Sequence, residues 1–144
     1  MIYFDTSALV RAFRLGLAPA GITRSHSVAE FYSTLTGRGI TVERAGRREQ
    51  MVLAPKDAAT AVKRTFANLD WFDLKPREVL EEIQEAVSVN VQGAKIHDWL
   101  HIGAAALSLA TDLATLNEKH FRELAPNVRI MPVADALKNA PLAT

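Results

Sequence analysis

Cysteine is absent from this chain, which excludes disulfide staples, thiolate metal sites and thiol nucleophiles. The absence also fits a reducing compartment. Net charge is scarce too. With 17 basic and 16 acidic residues the formal charge is +1, so affinity for nucleic acid must come from local patches and not from a global field. Long hydrophobic runs are missing. The longest nearly uncharged stretch, Trp99 to Ala110, is too short for a bilayer and carries His101 and Ser108. At the N-terminus Asp5 interrupts the apolar residues, so neither the basic start nor the apolar run of a secretory signal is present. The expected location is the cytoplasm. Repeats, low-complexity tracts and linkers are also lacking. The 144 residues suffice for one domain with a proper core and not for two, so a single domain over 1–144 is expected.

What is present reads as short strands alternating with helices. "MIYF" predicts a buried strand, and "SALVRAFRLGL" a helix with Leu9, Val10 and Phe13 at helical spacing. "GITRSHSV" predicts a second strand leading into the helix "SVAEFYSTLTGRG", which stops at Gly37 and Gly39. "TVERAGRREQMVLAP" and "PKDAATAVKRTFANL" both read as helices parted by Pro55. "WFDL" is a candidate strand, "PREVLEEIQEAVSV" a helix, and "AKIHDWLHIGAAALSLA" a small, apolar helix. "TDLATL", "NEKHFREL" and "NVRIMPV" follow as strand, helix and strand. The alternation predicts an α/β fold of three layers (α/β/α), with a mostly parallel central sheet covered on both faces.

In such sheets ligands bind beyond the carboxyl ends of the strands, so polar residues at strand-to-helix junctions matter most. Asp5 ends the first strand and is either an N-cap or a site residue. Glu30 follows the second strand, although Ser27-Val28-Ala29-Glu30 also matches a capping box. Asp98 opens the apolar helix on the face that runs through Ile102, Ala105 and Leu109; interaction with the helix dipole is its structural alternative. In "ATLNEKHF", Thr115 and Asn117 are plausible caps, and Thr115 to Glu118 fits a second capping box. Carboxylates gathered at one sheet edge repel one another unless a cation lies among them. All-oxygen donors select Mg²⁺ or Mn²⁺ over zinc or copper. Such ions suit hydrolysis of phosphodiesters without a protein nucleophile.

These segments resemble a known family. "MIYFDTSALV" is similar to the opening of PIN-domain ribonucleases, above all the VapC-like toxins of toxin–antitoxin pairs. "SVAEFYSTLT" resembles their second acidic segment, "IHDWLHIGAAAL" their third, and "DLATLNEKHF" the turn holding their fourth site position. The resemblance spans nearly the whole chain in matching order. It implies a PIN-like fold and a Mg²⁺- or Mn²⁺-dependent endoribonuclease with Asp5, Glu30 and Asp98 as metal ligands. Asn117 would assist, Thr6 or Ser7 would sit beside the metal, and Thr115 would line the site. It further implies an RNA substrate, an antitoxin partner and a homodimer. Where the family often has aspartate, Asn117 supplies no charge, so one metal or two stays open; Asp112 or Glu118 could compensate. The stretch between Asp5 and Glu30 is short for the family.

Other features carry other readings. His97 and His101 stand four apart, as in two-histidine zinc sites, but no third ligand is evident. Hydrogen-bonded histidines flanking the carboxylates are the preferred reading, and His26 and His120 are candidates for the same edge. Arg44, Arg47 and Arg48 are expected to share a helical face that meets RNA, an acidic partner or solvent. Arg11, Arg14 and Arg24 lie nearer the junctions and suit phosphate contact better. The Gly103-Ala104-Ala105-Ala106 run is expected to allow close helix–sheet packing. A phosphatase with Asp5 as covalent nucleophile would want an acid two residues on, where Ser7 stands. A non-catalytic PIN-like module that binds RNA or protein is the alternative favoured by Asn117.

Overall fold

The computed structural model describes residues 1–144. The first half of the chain runs β1 (Ile2–Phe4), α1 (Thr6–Arg14), β2 (Gly21–Thr23), α2 (His26–Thr36), β3 (Ile40–Arg44), β4 (Arg47–Met51) and α3 (Pro55–Thr65). The second half runs β5 (Leu69–Trp71), α4 (Pro76–Ser88), α5 (Lys95–Leu107), β6 (Asp112–Thr115), α6 (Glu118–Leu124), β7 (Ile130–Pro132) and α7 (Val133–Ala136). Five strands form one sheet in the order β5-β2-β1-β6-β7, and all its pairings are parallel.

Helices cover both faces, as a parallel sheet requires. Strand alternation divides the core. Phe4 and Ala114 point toward Leu9 of α1, Phe31 and Leu35 of α2 and Phe66 beyond α3. Tyr3 and Leu113 point the other way, toward Ile102, Ala104 and Ala105 of α5 and Phe121 of α6. Each large apolar side chain fully buried here contributes roughly 1.5–3 kcal/mol. On the first face the rings of Phe31 and Phe66 meet edge to face at 5.1 Å.

The strand order also determines where a site can form. From β1 the chain moves outward through β2 to β5, then returns on the other flank of β1 as β6 and β7. The direction reverses between β1 and β6, and a crevice opens outside their carboxyl ends. Asp5 follows β1 there, and Asn117 follows β6.

Several expectations need correction. "TVERAGRREQM" is not a helix but the antiparallel hairpin β3–β4. Its turn residues Ala45 and Gly46 both have positive φ, 50° and 76°, as a two-residue type I′ connection demands. Gly39 at φ +77° launches the hairpin, where a Cβ would meet the Met51 carbonyl oxygen at 2.5 Å. Arg44, Arg47 and Arg48 therefore share no helical face: Arg44 pairs with Arg47 across the strands, and Arg48 with Glu43. The strand expected at "WFDL" starts earlier, at Leu69, because Leu69 is the residue that buries beside β2. Gly103 relieves contact with α4 and not with the sheet, since a Cβ there would meet Glu82 Cδ at 2.8 Å. Leu109 lies past the end of α5 and is 87% exposed, so the buried stripe ends before it. No helix is long and apolar enough to cross a membrane.

Candidate active site

Asp5 leaves the apolar strand β1 and caps α1, its Oδ1 accepting from the Ala8 amide at 2.9 Å. The cap uses only part of the carboxylate. Ser7 Oγ donates to Oδ1 at 2.7 Å, and Thr115 Oγ1 donates to Oδ2 at 2.6 Å. Both hydroxyls also tie the end of β6 to this point, since Ser7 Oγ accepts from the Leu116 amide at 2.9 Å and Thr115 Oγ1 from the Asn117 amide at 3.1 Å. Asp5 is 3% exposed. Burial pushes its carboxyl above the ordinary range, more than the hydrogen bonds from Thr115, Ala8 and Ser7 can offset.

Glu30 projects from α2. The Ser27–Glu30 capping box does not form, because α2 begins at His26 and Ser27 is buried with its Oγ 2.8 Å from Thr23 Oγ1. Glu30 Oε1 instead accepts from Thr6 Oγ1 at 3.1 Å and meets His101 Nε2 at 3.0 Å. His101 is buried, and its Nδ1 lies 2.8 Å from the Tyr3 hydroxyl. Burial raises Tyr3 well above the ordinary phenol range, so the hydroxyl keeps its proton. With the imidazole neutral, the Tyr3 hydroxyl donates to Nδ1, and Nε2–H donates to Glu30. Burial alone would lift the Glu30 carboxyl; the hydrogen bond and charge of His101, with the Thr6 hydroxyl, bring it below its usual value.

Asp98 lies in the first turns of α5, its Oδ2 3.0 Å from His120 Nε2 of α6. Burial raises its carboxyl, and the neighbouring Glu30 adds to the rise against the opposing charges of His120 and His101. The two acids therefore sense one another across the crevice. Asn117 begins α6 without a side-chain capping bond, so the Thr115–Glu118 capping box is also absent. Its amide is left to face the crevice.

Asp5, Thr6, Ser7, Glu30, Asp98, His101 and Asn117 all line one cleft of about 420 Å³. Thr115 is fully buried and holds Asp5 from beneath. Of the expected companions, His120 joins through Asp98, whereas His97 stacks on His26 with ring centroids 5.6 Å apart. His97 and His101 thus serve different contacts and form no zinc pair. Asp112 instead pairs with Arg129 at 3.2 Å, and Glu118 with Arg122 at 3.0 Å. Sequence reasoning missed Tyr3, Thr34 and Arg38; the last two line the cleft. A signal existed for Tyr3, since a tyrosine inside a buried strand needs a partner for its hydroxyl. Arg38 stands between Gly37 and Gly39, where the sequence signals only the end of a helix.

As the side chains stand, no three His, Asp or Glu residues converge to hold an ion, because Glu30 and Asp98 turn toward imidazoles. The donor chemistry nevertheless fits a hard divalent cation. The cleft offers carboxylate, hydroxyl and amide oxygens, and burial raises two of its acids, Asp5 and Asp98, a cost that a bound cation would offset.

No protein-family model and no curated protein matches the sequence. Among solved structures the chain is similar to VapC20 of Mycobacterium tuberculosis, described as a sarcin-ricin loop cleaving toxin. The superposition has a TM-score of 0.60 at 13% identity and covers 89% of this chain and 96% of that one. The parallel five-stranded sheet with helices on both faces is the PIN-like fold of that toxin.

Proposed function

We propose that the protein, as one PIN-like domain over residues 1–144, is a metal-dependent endoribonuclease, the toxin of a toxin–antitoxin pair. One observation carries the reading: Asp5, Glu30, Asp98 and Asn117, from four separate parts of the chain, line the same polar cleft at the sheet's switch point. The fold likeness to an RNA-cleaving toxin supports it. In this reading Asp5, Glu30 and Asp98 hold Mg²⁺ or Mn²⁺. When bound, such an ion supplies polarisation of a phosphoryl oxygen and acidification of water.

The chain's own residues do the rest. Ser7 and Thr115 fix the Asp5 carboxylate in one orientation. Thr6 and His101 keep Glu30 ionised and turned into the cleft, and His120 holds Asp98. Arg14 and Arg38, which line the same cleft, offset phosphate charge. Asn117 offers an uncharged amide to the substrate or to the ion's surroundings. The protein acts in the cytoplasm on RNA, is restrained by an antitoxin protein and assembles as a homodimer.

Incubation of end-labelled RNA with the purified protein and Mn²⁺ tests the activity. Internal cuts that stop with chelator and in Asp98→Asn support the reading. Wild-type protein that binds the RNA in Mn²⁺ but leaves it intact favours the non-catalytic module.

A further inference from the structure

The hairpin that replaces the expected helix creates a second concave feature. A groove of about 490 Å³ lies between it and α1, lined by Arg11, Arg14, Thr41, Glu43 and Arg48, with no apolar residue among them. Its construction follows from periodicity. Ser7, Arg11 and Arg14 lie at steps of four and three and so share one face of α1. That face runs from the cleft at Ser7 to the groove at Arg14, about 10 Å along the helix axis. Thr41, Glu43 and Arg48 share one face of the hairpin, because Glu43 pairs directly with Arg48 and side chains alternate along a strand.

Helix chemistry explains part of this. Arg11 and Arg14 occupy the last turn of α1, where cations suit the helix dipole. It does not explain Arg48, which arrives from another element and faces the same space. Neither Arg11 nor Arg14 has a carboxylate partner, and Arg48 meets Glu43 only at 3.9 Å with both side chains exposed. With a net charge of +1, this is a local concentration of cations.

Resting on the nuclease reading above, we propose that this groove seats backbone phosphates of the RNA strand where it leaves the cleft. Continuity carries the assignment: Arg14 and Thr41 line both the cleft and the groove, so a strand cut at Asp5 has a cationic path outward. The absence of apolar lining fits a polyanion better than a protein segment, whose buried contact centres on apolar and aromatic side chains. Arg44 and Arg47 lie on the opposite face of the hairpin and take no part.

Fluorescence anisotropy of a labelled single-stranded oligoribonucleotide, in chelator and over a series of salt concentrations, tests the groove without cleavage. For every phosphate that is no longer neutralised, the plot of log K against log salt should flatten by about 0.7. Arg11→Gln with Arg48→Gln should flatten it by about 1.4 and weaken binding roughly tenfold at low salt. Arg77→Gln, exposed on α4 away from both concavities, should match wild type. Restoring charge with Arg11→Lys and Arg48→Lys should recover most of the slope. A double Gln variant with wild-type slope and affinity overturns the proposal. So does a variant that keeps its RNA affinity but loses binding of a poly-glutamate peptide, which assigns the groove to an acidic protein. The two readings separate cleanly. Normal cleavage with unchanged slope and KM in the variant removes the groove alone, whereas wild type that cuts no RNA, beside a flattened slope in the variant, removes the nuclease and keeps the groove.

Discussion

The two walls of the cleft are built differently. On the sheet wall, Asp5 is held by three donors, from Ala8, Ser7 and Thr115, and is almost wholly buried. On the helical wall, Glu30 and Asp98 are half-exposed, and the imidazoles that face them, His101 and His120, come from other helices. The sheet wall gives a fixed point, because no rotation of Asp5 keeps its hydrogen bonds. On the helical wall each carboxylate can exchange an imidazole for another partner at the cost of one hydrogen bond. A site that must accept a cation and a phosphate needs both properties, a rigid anchor and ligands with a releasable hold.

Breaking the helical wall should produce the largest effect. Asp98→Asn keeps shape and removes one charge, and RNA cleavage in Mn²⁺ should fall by at least about 100-fold in single-turnover assays. A smaller effect is expected from Tyr3→Phe, which leaves His101 Nδ1 buried without its donor. The variant should lose about 1–3 kcal/mol in chemical denaturation. Through misplacement of Glu30 it should also lose roughly tenfold in Mn²⁺ affinity.

Asp5→Asn sharpens the contrast in the opposite direction. Because its folded pKa is raised, the stability linked to Asp5 is fully present below the unfolded carboxylate value of about 4 and is lost as pH rises through the higher folded value. In metal-free buffer the Asn variant, which retains an oxygen for the Ala8 amide but loses the acceptor of the Thr115 hydroxyl, should gain stability relative to wild type as pH rises above about 4. The gain should shrink as pH falls toward about 4, and melting curves across pH read it directly. Added Mn²⁺ should raise the melting temperature of wild type and leave the variant unmoved. Ala45→Gly should show the smallest effect, a gain of about 1 kcal/mol, since a non-glycine residue at φ 50° is strained. That gain belongs to the hairpin and should leave cleavage of a short RNA unchanged.

How much of this was legible in the sequence follows from the range of the interactions. β1, Asp5 and α1 could be read because strand, cap and helix are neighbours in the chain and local pattern specifies them. The parallel sheet could be read for the same reason, strand after helix after strand. The hairpin could not. Arg44, Arg47 and Arg48 repeat at helical spacing, and Ala45 stands where Asn would have signalled a type I′ turn. Packing of Ile40, Val42 and Met51 on the α2–α3 core overrode that pattern. The two capping boxes failed for different reasons: Thr115 found Asp5 110 residues away, whereas Ser27 found Thr23 four residues back because α2 begins earlier, at His26. The partners of Glu30 and Asp98 were out of reach. His101 lies 71 residues from Glu30 and 98 from Tyr3, so only the fold brings them together.

Calorimetric titration of Mn²⁺ into wild type, Asp5→Asn and Asp98→Asn tests the central claim most directly, that the two walls enclose a metal-dependent site. Saturable binding to wild type is the predicted result, with at least about tenfold weaker affinity in both variants while each stays folded. Equal affinity in all three, or no saturable binding to wild type, would contradict it and leave Asp5 as the cap of α1 and Asp98 as the partner of His120.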